Sequence, residues 1–138
     1  MINMNQFLTI YKLFFHFLNI ILISFYLFPG SILGWFLYDD LNKQPRITSD
    51  FKIEFIRISS NHFYVFFIFS LLGVLSYLKD KKFNLLAIYL LTISIILELF
   101  HILIPERSFQ FEDLFGNILG VVTVLIIYII WKKYYEFI

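Results

Sequence analysis

"ELFHILIPERSFQFEDLFGN", residues 98–117, joins two of the most apolar stretches of the chain and carries Glu98, His101, Glu106, Arg107, Glu112, Asp113 and Asn117. Pro105 stops one apolar run and Asp113 opens the next. Polar groups are costly to hold beside so much hydrocarbon. The stretch therefore predicts a turn between two antiparallel membrane helices, with a polar layer at its mouth.

The flanking runs have the length that a bilayer crossing requires, about 20 apolar residues. One covers roughly Phe83 to Ile104 and the other Asp113 to Trp131, before Lys132-Lys133. Two more lie upstream. Phe7 to Phe28 ends at Pro29-Gly30, and His62 to Leu78 ends at Lys79-Asp80-Lys81-Lys82. The first lacks a basic cluster ahead of it, is too long for a signal-peptide core, and no A-x-A site follows, so it reads as a retained helix.

Composition agrees with lipid as the main solvent. Residues of hydrophobic type make up 60%, phenylalanine alone occurs 19 times, and mean hydropathy is +0.81. Soluble domains are far more polar. The expected fold is all-α: a single membrane domain over residues 1–138, built as a four-transmembrane-helix bundle. A net charge of +1 gives no footprint for nucleic acid. Cysteine is absent, which removes disulfides, thiolate nucleophiles and Cys-ligated metals.

Lysine and arginine near helix ends set orientation. Four crossings put both termini and the 79–82 loop on one side, with Lys12, Lys79, Lys81, Lys82, Lys132 and Lys133 against Asp80 and Glu136. The other side holds Lys43, Arg46, Lys52, Arg57 and Arg107 against eight acids, Glu98 included. The short lysine-rich loop favours cytoplasmic termini in a multi-pass cell-membrane protein.

That topology gathers the polar residues. Glu98 lies seven residues before Pro105, about 10 Å below the helix end, and Asn117 lies about 6 Å into the last helix. Ser94, Glu98 and His101 share one face at i, i+4 and i+7, as do Asp113 and Asn117 one turn apart. Histidine 62 opens the second helix at the same level.

These residues resemble the VanZ-like family of small polytopic membrane proteins. "NHFYVFF" at a helix start and the downstream "ELFHILIPERSFQFEDLFGNILG" carry the likeness, through His62, Glu98, Pro105, Arg107, Asp113, Asn117 and Gly120. It spans roughly residues 58–122. Two departures stand out: His101 replaces a usual glutamine, and Ile58-Ser59 stands where an Asp-Lys pair is common. The resemblance implies a cell-envelope role. The family is named for a protein associated with low-level resistance to the glycopeptide teicoplanin, so a link to antibiotic tolerance is part of what it implies.

Each residue also has a plain physical reading. Glu98 is either a functional carboxyl or a structural one paired with Arg107. Arg107, at headgroup level, either grips a phosphate or carboxylate with its planar fork or anchors at the interface. Asp113 is expected to cap the last helix. Asn117 needs an interhelical hydrogen bond, and His62 can titrate near neutral pH. Gly116 and Gly120 form G-x-x-x-G, which allows close helix approach within the chain or to a second copy.

The 29–60 loop is too long to lack elements of its own. "SILGWFLYDD" reads as an interfacial or re-entrant helix. "SDFKIEFIRIS" fits a strand by alternation, and a helical face by Phe51, Phe55 and Ile58; an amphipathic helix is the favoured reading. Asp39-Asp40 reads as a solvated end, two carboxylates alone being a weak cation signal. No Walker loop, H-E-x-x-H, dinucleotide fingerprint or G-x-S-x-G elbow occurs, so no cofactor or metal is expected. Ser94 beside His101 lacks an evident oxyanion hole.

The functional expectation is recognition of an anionic head group on a membrane lipid or lipid-linked envelope precursor, through His62, Glu98, His101, Arg107, Asp113 and Asn117. The alternatives are an intramembrane acid–base enzyme using Glu98 or His62 on a lipid phosphate or ester, and a small proton-coupled exporter. A bundle held together by its polar layer is the plainest reading.

Overall fold

The computed structural model describes residues 4–78 and 80–135; Lys79 and Glu136 of the charge count lie outside them. The order is α1 (Met4–Leu27), α2 (Ile32–Tyr38), β1 (Phe51–Ile53), β2 (Ile56–Ile58), α3 (Ser60–Tyr77), α4 (Phe83–Phe100) and α5 (Phe111–Tyr135). The fold is mostly helical, and α1, α3, α4 and α5 are each long and apolar enough to cross a membrane. Eighteen residues, the length of α3 and of α4, rise about 27 Å, close to a hydrocarbon core. This is the pattern of a multi-pass membrane protein.

Helix α3 is the hub: it packs most extensively on α5 and also on α1 and α4. Glycine makes the α3–α5 approach possible. A Cβ at Gly116 would stand 2.6 Å from the Ser59 carbonyl oxygen, and one at Gly120 would stand 2.6 Å from that of Phe63. The G-x-x-x-G face is therefore used within the chain and covered by α3. Phe15, Phe66, Phe69, Leu90, Leu97 and Val121 form a shared core, with Phe15 stacked on Phe69 at 5.0 Å. Leu13, Phe17, Ile20, Ile88 and Ile129 are exposed on the helices' outer faces. So much apolar surface would be a liability in water and is ordinary in lipid.

Three local expectations need correction. The "SDFKIEFIRIS" segment is an antiparallel hairpin, with Phe51 opposite Ile58 and Lys52 opposite Arg57. Its alternation prevails because β-branched Ile53, Ile56 and Ile58 favour strand, and Glu54 takes a positive φ of 51° that ends any helix. Phe51 rests edge-on against Phe63, while Phe55 stands fully exposed at the tip. Helix α4 stops at Phe100, four residues before Ile104. His101, Ile102 and Leu103 continue as tight turns, each N–H bonding three residues back. Asp113 is the third residue of α5 rather than its cap; the first α-helical bond runs from the Leu114 N–H to the Gln110 carbonyl.

The expected short helix in "SILGWFLYDD" is α2. Ser31 caps it by accepting the Gly34 N–H at 2.9 Å, and Asp39 closes it in the left-handed conformation at φ 54°. Seven residues span only about 10 Å, so it cannot cross. The Asp40 carboxylate accepts the Asn42 N–H at 2.9 Å within the turn that follows.

Candidate functional site

All four long helices contribute to one buried layer at the hairpin end. Tyr26 comes from α1, His62 from α3, Ser94 and Glu98 from α4, His101 from its C-terminal cap, and Asp113 and Asn117 from α5. Glu98 and Asn117 are completely buried, His101 is 3% exposed and Asp113 8%. Buried polar groups are destabilising unless they are mutually satisfied. Here most of that satisfaction runs through one connected chain.

Asn117 is its pivot. Its amide nitrogen donates to the Ser94 carbonyl at 3.2 Å, which fixes the amide's orientation. The Asn117 Oδ1 is thereby aimed at Tyr26 and His62. The Tyr26 hydroxyl donates to it at 2.9 Å, and the His62 Nδ1 lies 3.0 Å away. The His62 Nδ1 also lies 2.9 Å from the Tyr26 hydroxyl. An amide oxygen can only accept, so with that hydroxyl donating to Asn117 the arrangement is satisfied by the His62 tautomer that carries hydrogen on Nδ1. Its Nε2 then faces Asp113 Oδ2 at 3.5 Å.

A second histidine is oriented the same way. His101 Nε2 lies 3.2 Å from the Tyr26 carbonyl, another pure acceptor, and so carries hydrogen. Its Nδ1 lies 3.3 Å from Glu98 Oε1. The Tyr26 ring also stacks on His101 at 5.5 Å and 11°, and meets His62 edge-on at 5.5 Å.

Glu98 is held asymmetrically. Its Oε1 also accepts the Gln110 N–H at 3.1 Å, whereas Oε2, 3.9 Å from His62 Nδ1, is buried without a hydrogen-bond partner. One oxygen each from Glu98 and Asp113 and one nitrogen of His62 lie within 4.8 Å of one another.

Arg107 is positioned beside this layer rather than in it. Its Nε donates to the Phe28 carbonyl at 3.2 Å and its Nη2 to that of Phe25 at 3.1 Å. These are carbonyls that the end of α1 leaves unpaired. Burial pulls the guanidinium below its ordinary pKa, while the nearby Tyr26, Glu98 and Asp113 work against that shift. Glu98 thus bonds to Gln110 and lies beside His101, and Arg107 steadies α1 with one edge of its fork.

Two cavities meet at the layer. A groove of about 410 Å³ runs between α1 and α3, from Ser31, Gln44, Asn61, His62 and Arg107 down to Leu18 and Leu72. From His62 to Leu72 the helix rises about 15 Å. The second cavity, about 310 Å³, is polar and bounded by Arg46, Asp50, Arg57, Gln110, Glu112 and Asp113. Gln44 and Asn61 border both.

No family model matches this sequence, and the comparisons with characterised proteins and with solved structures also give no match.

Of the six site residues expected from sequence, the layer joins His62, Glu98, His101, Asp113 and Asn117, and Arg107 borders the groove. Ser94 contributes its carbonyl; its hydroxyl donates to the Leu91 carbonyl at 2.8 Å. Tyr26 was not anticipated, although it contacts both histidines. Its only trace in the sequence is a tyrosine two residues before the Phe28 helix end, at the level of the other polar groups.

Proposed function

We propose that this chain is a multi-pass protein of the cell membrane, VanZ-like in its polar layer, that binds an anionic amphiphile of the cell envelope. The head group sits at the polar layer and the tail lies in the α1–α3 groove. Lys12, Lys81, Lys82, Lys132 and Lys133 favour cytoplasmic termini, which puts the layer in the outer leaflet. Trp35 and Phe36 of α2 and Phe55 of the hairpin, all exposed, suit a seat at the lipid–water boundary.

The observation that carries this reading is the junction of the two cavities. An apolar groove about one leaflet deep opens beside a polar chamber containing Arg46 and Arg57, with His62 and Asp113 between them. An amphiphile needs that pairing of environments, whereas a helix-locking network does not. The role of Arg107 narrows accordingly: it shapes the groove mouth and adds positive charge there.

The test is mass spectrometry of lipids that co-purify with the protein in mild detergent. Wild type should carry an anionic lipid above its share in the membrane. Ile68→Trp, which fills the groove from an exposed position, should lose that enrichment at unchanged thermal stability. A wild-type lipid profile equal to the bulk membrane would refute the reading.

A further inference from the structure

We propose that His62, Glu98 and Asp113 bind a divalent cation, Zn²⁺ or Mn²⁺, with an open coordination position toward the polar chamber. The site stands whether or not a lipid occupies the groove, and it runs against the motif-based expectation of no metal.

Three observations converge. The first is the donor set, one imidazole and two carboxylates from three helices, with donor atoms within 4.8 Å of one another. The His62 Nε2 to Asp113 Oδ2 separation of 3.5 Å matches the edge of a tetrahedron whose metal–ligand bonds are about 2.1 Å. A pair at the 4.8 Å limit needs to close by about 1.4 Å, with a small turn of the Glu98 carboxylate from the Nδ1 edge of His62, 3.9 Å from Oε2, toward Nε2. A donor set of nitrogen and oxygen without thiolate suits Zn²⁺ or Mn²⁺ rather than a soft ion.

The second is the unpartnered Glu98 Oε2, on a side chain that is entirely buried. Protonating it would only exchange an unpaired acceptor for an unpaired donor. A cation answers it. The Arg107 guanidinium donates instead to the carbonyls of Phe25 and Phe28.

The third is the layer behind the ligands. The His62 Nδ1–H is held by Asn117, whose amide is held by Ser94, and Glu98 Oε1 is held by the Gln110 N–H. Metal-bound histidines and carboxylates are oriented by such partners, which leave the other nitrogen or oxygen to face the ion. Asp113 also borders the polar chamber with Ser59, Asn61 and Gln110, so an ion has a route in and a fourth ligand has room. Three protein ligands and one open position are how a cation is presented to an anionic group.

The experiment uses the full chain, purified in detergent, stripped with EDTA and desalted. Titration with ZnCl₂ or MnCl₂ alone, followed by calorimetry and elemental analysis, should give one ion per chain and a Tm that rises with ion concentration. Glu98→Gln and Asp113→Asn should each weaken binding by at least about a hundredfold. Asp39→Asn, at the exposed turn, should bind as wild type does. Co²⁺ gives an independent readout in the wild type: visible d–d bands of a nitrogen–oxygen site that Zn²⁺ abolishes. These bands decide the matter even where a variant does not fold. Folded wild type that takes up no ion and shows no bands overturns the proposal, as does undiminished binding in the Glu98→Gln, Asp113→Asn double variant.

Discussion

The two ends of the bundle handle charge in opposite ways. At the α3–α4 turn, Lys12 and Asp80 form a partly exposed ion pair, Asp80 also accepts the Lys82 N–H at 2.8 Å, and Lys12 sits over the Tyr77 ring. Water reaches these groups, and such pairs are worth little. At the hairpin end, Tyr26, His62, Glu98, His101 and Asn117 are oriented by one another in a largely buried layer. Asn117 there sets the orientation of both Tyr26 and His62. The comparison separates charge that water can solvate from polarity that the bundle itself has to satisfy.

The sharpest way to break that contrast is Asn117→Leu. It takes away the partner shared by the His62 Nδ1–H, the Tyr26 hydroxyl and the Ser94 carbonyl, leaving the first two only each other and the carbonyl nothing from this side chain. The expected loss is about 3 kcal/mol or more of stability, read from thermal or denaturant unfolding in detergent. Tyr26→Phe should cost less, about 1–2 kcal/mol, because it removes the hydroxyl's contacts with Asn117 Oδ1 and His62 Nδ1 and keeps the ring on His101. If both substitutions were neutral, the layer would not be the coupled unit described.

The smallest effect belongs to the other end. The hydrogen bond from Lys12, followed by that from Lys82, holds the Asp80 carboxyl below its ordinary value. Its folded pKa being the lower one, its stabilisation is complete above about pH 3.9 and is lost as pH falls through the folded value. Asp80→Asn should cost only a little at pH 7, where that stabilisation is present, and should flatten the fall of Tm on the acid side, as measured by Tm against pH from 7 to 3. A large loss at pH 7 would put this end on a par with the layer.

What was legible in the sequence follows from the same contrast. Hydropathy locates the four long helices because apolar length alone is enough to identify them. It misplaces the end of α4 because Ile102 and Leu103 are as apolar in a tight turn as in a helix. The hairpin was obscured by brevity: in eight residues, Phe51, Phe55 and Ile58 suit a helical face as well as alternation suits strands. Glu98, Asp113 and Asn117 stood out because polar residues in such surroundings are rare and costly. Tyr26 did not, since a tyrosine near a helix end resembles the ordinary aromatic belt. Arg107's partners are main-chain carbonyls, which have no signature in side-chain sequence. The meeting of His62, Glu98 and Asp113 depends on the rotation of three helices, which spacing along the chain does not encode.

The central claim is that the buried layer is a site rather than a bolt between helices, and Glu98→Gln tests it most directly. Glutamine keeps the size of the side chain and can still accept the Gln110 N–H, so the bundle should retain its wild-type Tm within about 1 kcal/mol of stability. It removes the ionisable carboxyl. Measured on the same preparation, the co-purifying anionic lipid should fall to its share in the bulk membrane. A glutamine variant with unchanged stability and undiminished lipid enrichment would contradict the account and reduce Glu98 to a structural group.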